Sequence, residues 1–183
     1  FLGSLLTEDR SVLDLLRADY TFVNERLAKH YGIPKIYGNR FRRVTFPSGE
    51  WAGLLNHGSV MTVTSYPNRT SPVLRGKWVL ENMLGAPPPE PPPDVPTLEE
   101  VNEEGEPLSM RQAMVQHREN PACAVCHAPM DPIGFSLENF NAIGEWRQTS
   151  EAGTEIDSSG TLPDGASFEG PIGLRDLLLD RPD

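Results

Sequence analysis

Cysteine is scarce in this sequence: two residues among 183, at positions 123 and 126. That scarcity excludes the disulfide framework of small secreted domains, and the length makes one unnecessary, since a chain of this size can bury a core of its own. The two thiols are therefore read as chemistry. Basic residues are also few, 16 Lys and Arg against 26 Asp and Glu, for a formal net charge of −10. So acidic a chain lacks the cationic patches that replace phosphate counterions, which argues against nucleic acid and anionic membrane surfaces and favours a partner with a basic face. No apolar run approaches the ~20 residues of a membrane span, so no transmembrane segment is expected, and no basic stretch followed by an apolar one opens the chain as a leader would. The chain opens directly on Phe1-Leu2-Gly3-Ser4-Leu5-Leu6, which reads as helix, so it is expected to be a piece of a longer protein with any export signal upstream.

Local signals predict a mainly α fold with a small β-hairpin. Apolar residues at helical spacing over 11–18 and 21–31 (Val12, Leu15, Leu16, then Phe22, Val23, Leu27), with Ser11 and Thr21 as caps and Gly32-Ile33-Pro34 as a stop, predict a helical hairpin. Residues 41–46 suit a short strand, and 51–65 carry no clear pattern. Ser71-Pro72 predicts a helix from residue 72 that Gly85 closes. Seven of the ten residues 87–96 are proline, which favours a stiff polyproline strap, read first as a plain spacer. Ser109-Met110-Arg111-Gln112 fits a capping box, with Met110, Ala113, Met114 and His117 on one helical face. Asn120-Pro121 ends that helix, and a further helical stretch is expected over 133–140. Residues 146–169 suggest a hairpin closed by Pro163-Asp164-Gly165, and 174–179 begin a last helix. The architecture expected is an N-terminal helical segment joined by the strap to a cytochrome c-like half.

Cys123-Ala124-Val125-Cys126-His127 carries the chemistry. Cysteines three apart on one helical turn reach the two vinyl groups at a porphyrin edge, and the histidine that follows aims its imidazole at the iron. The spacing therefore points to one covalent haem c, tethered by Cys123 and Cys126, with His127 as an axial ligand. The other imidazole nitrogen then needs an acceptor, and backbone carbonyls near Pro129 or Pro132, in an extended turn under the ring, are expected to supply it. A dithiol redox pair, a zinc site completed by His117 and His127, or simple buried thiols remain alternatives. Zinc would lack a second cysteine pair, and a thioredoxin-like site would lack its βαβ context.

The segments Thr64-Ser65-Tyr66-Pro67-Asn68-Arg69-Thr70-Ser71-Pro72-Val73-Leu74-Arg75-Gly76-Lys77-Trp78 and Cys123-Ala-Val-Cys-His127-Ala-Pro-Met130-Asp-Pro-Ile-Gly134-Phe-Ser-Leu-Glu-Asn139-Phe, with the proline strap between them, resemble the planctomycete-type multidomain cytochrome c-like proteins built from domains of unknown function. The resemblance implies an exported, periplasmic or extracytoplasmic bacterial haem protein. It implies the end of an upstream helical domain over 1–36, a middle domain over 37–106 with the TSPVLRGKW helix and the strap, and a haem c-binding segment over 107–183 that begins a truncated C-terminal domain.

Several other residues are candidates for the site. Trp146 and Arg147 could clamp a haem propionate, and Arg69, Arg75 and Lys77 could do the same or pair with nearby carboxylates. Asp131 and Glu138 have no carboxylate partner by spacing and are not read as catalytic. After His127 the chain holds no histidine, no lysine and one methionine, Met130, which reads as a thioether packed under the porphyrin. Any sixth ligand within this chain would therefore lie upstream, with His57 ahead of the Met110, Met114, His117 face; an empty position, or a ligand from a C-terminal part beyond residue 183, is an equal alternative. The expected role is one-electron transfer rather than catalysis by this chain alone. The alternatives are a haem enzyme module, peroxidatic or oxygen-activating, with an open sixth position, and a structural or interaction module with peripheral haem or zinc.

Overall fold

Ser71, Pro72 and Gly85 punctuate the helix around which the chain is built. A computed structural model describes residues 1–47, 51–90, 101, 104–105, 108–150 and 153–180. In chain order the elements are α1 (Leu2–Thr7), α2 (Asp14–Arg17), β1 (Tyr20–Val23), α3 (Glu25–His30), β2 (Arg42–Thr45), a 3-10 turn over Gly53–Asn56, α4 (Gly58–Val63), α5 (Pro72–Asn82), α6 (Met110–His117), α7 (Pro121–Phe135), β3 (Ser159–Thr161), β4 (Ser167–Glu169) and α8 (Gly170–Asp180). The fold is mainly helical, with two small antiparallel two-stranded sheets.

Where local chemistry is unambiguous, structure follows it. The Ser71 hydroxyl accepts from the Leu74 N–H, and Pro72 takes the first helical position, where its missing N–H leaves no gap. Gly85 turns the chain out at φ +59°. Ser109 and Gln112 form both bonds of the capping box at the start of α6. The hairpin of β3 and β4 pairs Gly160 with Phe168 and turns through Asp164, whose carboxylate accepts from the Ala166 N–H at 3.0 Å.

The expected N-terminal helical hairpin is replaced by a mixed unit. Residues 20–23 are the strand β1, paired with β2 so that Tyr20 faces Thr45 and Val23 faces Arg42. Tyr-Thr-Phe-Val is a run of aromatic and β-branched side chains, which suits a pleated, half-buried surface better than a helix. The helix that follows starts later than Thr21, at Asn24, whose side chain accepts from the Leu27 N–H. The stretch with no legible pattern, 51–65, holds the 3-10 turn and α4. The strap expected at 87–96 lies outside the described residues from position 91 onward.

The core joins all these pieces. Leu16 from α2, Leu55 and Met61 from the middle region, Val79 and Leu80 from α5, Met130 and Ile133 from α7, then Leu137, Phe140 and Leu174 form one buried cluster. Its centre is the packing of α5 on α7, which is backbone to backbone. A Cβ at Gly76 of α5 would overlap the Met130 carbonyl oxygen, and one at Gly134 of α7 would overlap the Pro72 carbonyl oxygen. Two glycines thus let the helices approach closer than side chains would allow. Beside this contact Arg75, 1% exposed, donates through Nη1 to the Leu137 carbonyl at 2.7 Å and to Glu138 Oε1 at 2.8 Å, and through Nη2 to the Asn141 carbonyl at 3.0 Å. Thr70 donates to the other Glu138 oxygen at 2.6 Å. A buried carboxylate and a buried guanidinium are thus paired and hydrogen-bonded, the condition under which such charges are tolerated inside a protein.

Candidate functional site

The cysteine pair lies on the first two turns of α7. Pro121 opens the helix, and the carbonyl of Asn120 accepts from the N–H groups of Cys123 and Ala124 at 3.0 and 3.1 Å. Three residues of separation put Cys123 and Cys126 on the same side of the helix, one above the other. Both are free thiols and partly exposed. His127, four residues after Cys123, shares that side.

Instead of breaking at Pro129 or Pro132, α7 runs through both to Phe135. Proline has no N–H, so the carbonyls of Val125 and Ala128 lose their helical donors. Burial of Met130 and Ile133 against α5 offsets that loss. An extended turn under the ring is therefore absent, and the proline carbonyls are not the acceptors for the imidazole. Because the helix persists, Asp131 stands one turn beyond His127, and its Oδ1 is 2.9 Å from His127 Nδ1. The carboxylate accepts that N–H, which leaves Nε2 as the free nitrogen of the ring.

Two residues from the end of α6 complete the surroundings. The His117 ring lies edge-on to His127 with 5.1 Å between centroids, and burial, reinforced by the neighbouring imidazole, pulls its pKa below the ordinary value. Arg118 Nε is 3.5 Å from Asp131 Oδ2. Arg118 also lines a cleft of about 220 Å³ with Arg111, Pro132, Phe135, Ser159 and Thr161. Arg111 fastens α6 to the hairpin, donating to the Asp157 and Ser159 carbonyls at 2.8 and 2.6 Å. Among the described residues no three His, Cys, Asp or Glu side chains gather as a metal cage, so Cys123, Cys126, His117 and His127 do not converge as a four-ligand zinc site would.

The remaining candidates sit elsewhere. His57 caps the start of α4, with its ring 4.8 Å from Phe1 and 5.7 Å from Trp51 and its Nε2 3.4 Å from the Thr21 hydroxyl. Met130 is buried in the contact between α5 and α7. Trp146 is exposed and packs edge-on to Phe140 at 5.2 Å. It lines an open cleft of about 880 Å³ with Asn139, Gln148, Glu155 and Glu169, on residues other than those of the cysteine motif. Arg147 donates to the Glu138 carbonyl and carboxylate at 3.0 and 3.2 Å. Of the three other cations, Arg75 joins the same carboxylate, Lys77 pairs with Glu81 at 3.6 Å, and Arg69 lies over the Tyr66 ring. The residues brought to His127 are therefore His117, Arg118 and Asp131. The bond from His127 to Asp131 is not legible in the sequence, where Asp131 is weighed only as a catalytic group, because the spacing i to i+4 matters only if a helix survives two prolines.

Comparison with known families gives two matches. Residues 51–150 match PSCyt3, a protein of unknown function (DUF1588), and residues 1–33 match PSD4, a protein of unknown function (DUF1592). Both are domains of unknown function typical of planctomycete-type multidomain cytochrome c proteins, in agreement with the resemblance of the segments quoted above. The first match contains the TSPVLRGKW helix, the cysteine motif and the Arg75–Glu138 pair. No curated protein and no solved structure matches the chain.

Proposed function

The chain belongs to the PSCyt3 family of unknown function (DUF1588), and on that premise we propose that it binds one haem c covalently and serves one-electron transfer in an exported bacterial multidomain protein. The observation that carries this reading is the single face of α7 on which two free thiols and an imidazole stand one turn apart, with the Nδ1 of that imidazole already engaged by Asp131. The donor set fits the group. Cys123 and Cys126 would hold the porphyrin edge through thioether bonds, and His127 would present Nε2 to the iron. When bound, haem c would supply a one-electron couple, and Cys123, Cys126 and His127 would fix its orientation. The net charge of −10 suits docking to a redox partner with a basic face. Covalent attachment requires reduced thiols and a maturation apparatus, a requirement that supports the reading of an exported protein.

Replacing both Cys123 and Cys126 with serine tests the attachment. Protein matured in an export-competent host is expected to show a haem-stained band on a denaturing gel, and the double variant none, because the chain has no other cysteine. A covalently stained band in the double variant would falsify the assignment. Electron transfer is tested separately: rapid binding of carbon monoxide or cyanide by the isolated holoprotein would instead indicate an open catalytic position.

A further inference from the structure

The carboxylate behind His127 has two oxygens with different neighbours. Asp131 is completely buried; Oδ1 takes the His127 Nδ1–H, while Oδ2 has no hydrogen-bond partner. The nearest cation to Oδ2 is Arg118, whose Nε is 3.5 Å away and also donates to the Met114 carbonyl at 3.3 Å. Compare Glu138, the buried carboxylate of the same core, where Thr70, Arg75 and Arg147 satisfy both oxygens. A buried charge placed only for stability is normally satisfied in that way. Asp131 is left half satisfied, and its one strong bond goes to the imidazole of the haem motif.

Resting on the haem reading above, we propose that Asp131 and Arg118 are opposed positioning residues that set how strongly His127 donates electrons through Nε2. A carboxylate can only accept, so it fixes the proton on Nδ1 and keeps the Nε2 lone pair free. Drawing that proton towards Oδ1 makes the ring more basic, which favours the oxidised iron and lowers the reduction potential. Arg118 acts on the far oxygen and draws the carboxylate charge away from the imidazole, which moderates the effect. The His117 ring, edge-on at 5.1 Å, stands beside the same imidazole without joining this bond.

Two readouts test the pair. In the apo chain, long-range proton–nitrogen correlation spectra are expected to show His127 as the Nδ1–H tautomer; an Nε2–H tautomer overturns the proposal without reference to haem or to any variant. In the matured holoprotein, Asp131→Asn is expected to shift the one-electron equilibrium about tenfold towards the reduced state, about 59 mV upward, and Arg118→Gln to shift it downward. Unchanged potentials in both folded holo variants overturn the proposal, since a merely structural role would alter stability and leave the potential alone. Should Asp131→Asn fail to fold, the tautomer and the downward shift in Arg118→Gln, whose side chain is 28% exposed, still decide. An Nδ1–H tautomer in a chain that takes up no covalent haem would support the geometry while sinking the haem reading.

Discussion

His57 is held neutral by its surroundings: burial pushes its pKa down to about 4. In the unfolded chain the same imidazole titrates near its ordinary value, ~6.5. Between these values the unfolded state binds the proton and the folded state refuses it, so the contribution is intact above about pH 6.5 and is lost as pH falls towards 4. The full loss is about 3 kcal/mol. Urea unfolding at pH 7 and pH 5 is expected to show a steeper loss in the wild type than in His57→Gln. Parallel losses would mean that the buried imidazole is not what titrates. The same scale shows what sequence can reveal of a site. Cys123, Cys126 and His127 are legible because their chemistry requires contiguous spacing. Asp131 is not, because Pro129 and Pro132 point to a turn, and only packing against α5 keeps the helix that brings it to His127.

At the scale of elements, legibility follows how local the cause is. The start of α5 at Ser71-Pro72 and the capping box of α6 depend on residues within one turn, and both stand where the sequence puts them. β1 needs a partner 19 to 25 residues away, and the helical spacing of Phe22 and Val23 conceals it. The contact of α5 with α7 leaves a clearer expectation for mutation than for reading. Gly76→Ala or Gly134→Ala drives a methyl into the facing helix backbone, which cannot yield as a flexible side chain would. Each is expected to cost about 2–3 kcal/mol, as overpacking does, with a matching fall in thermal unfolding temperature. Gly3 in α1 has nothing near its Cβ position, so Gly3→Ala should instead raise stability by up to about 1 kcal/mol. If all three variants melt alike, the close approach of the two helices is wrong.

For the whole molecule, the packing of α5 on α7 bears on how the segments joined by the strap stand to each other. The helix before the strap and the helix after it share one core, with Leu80 and Ile133 in the same cluster. A chain cut at a protease site engineered between Glu99 and Glu106 is therefore expected to elute as one particle under native conditions. Its two fragments should part only in denaturant. Separation into two folded pieces on size exclusion would show that the core is not shared.

The two family matches stop and start at residues 33 and 51, yet the chain is sewn across that gap. The Tyr31 hydroxyl accepts from the Gly58 N–H at 2.8 Å, Trp51 stacks on Phe46 at 4.2 Å, and Gly53 at φ +52° lies against the Leu15 backbone so closely that no side chain would fit. A gene rearrangement that brought the second family to a new host without the first would strand Trp51 and His57 at a raw surface and leave the Gly58 amide unpaired. The two matched segments thus pack against each other, and an engineered fusion that respects these contacts keeps its join out of the stretch between them.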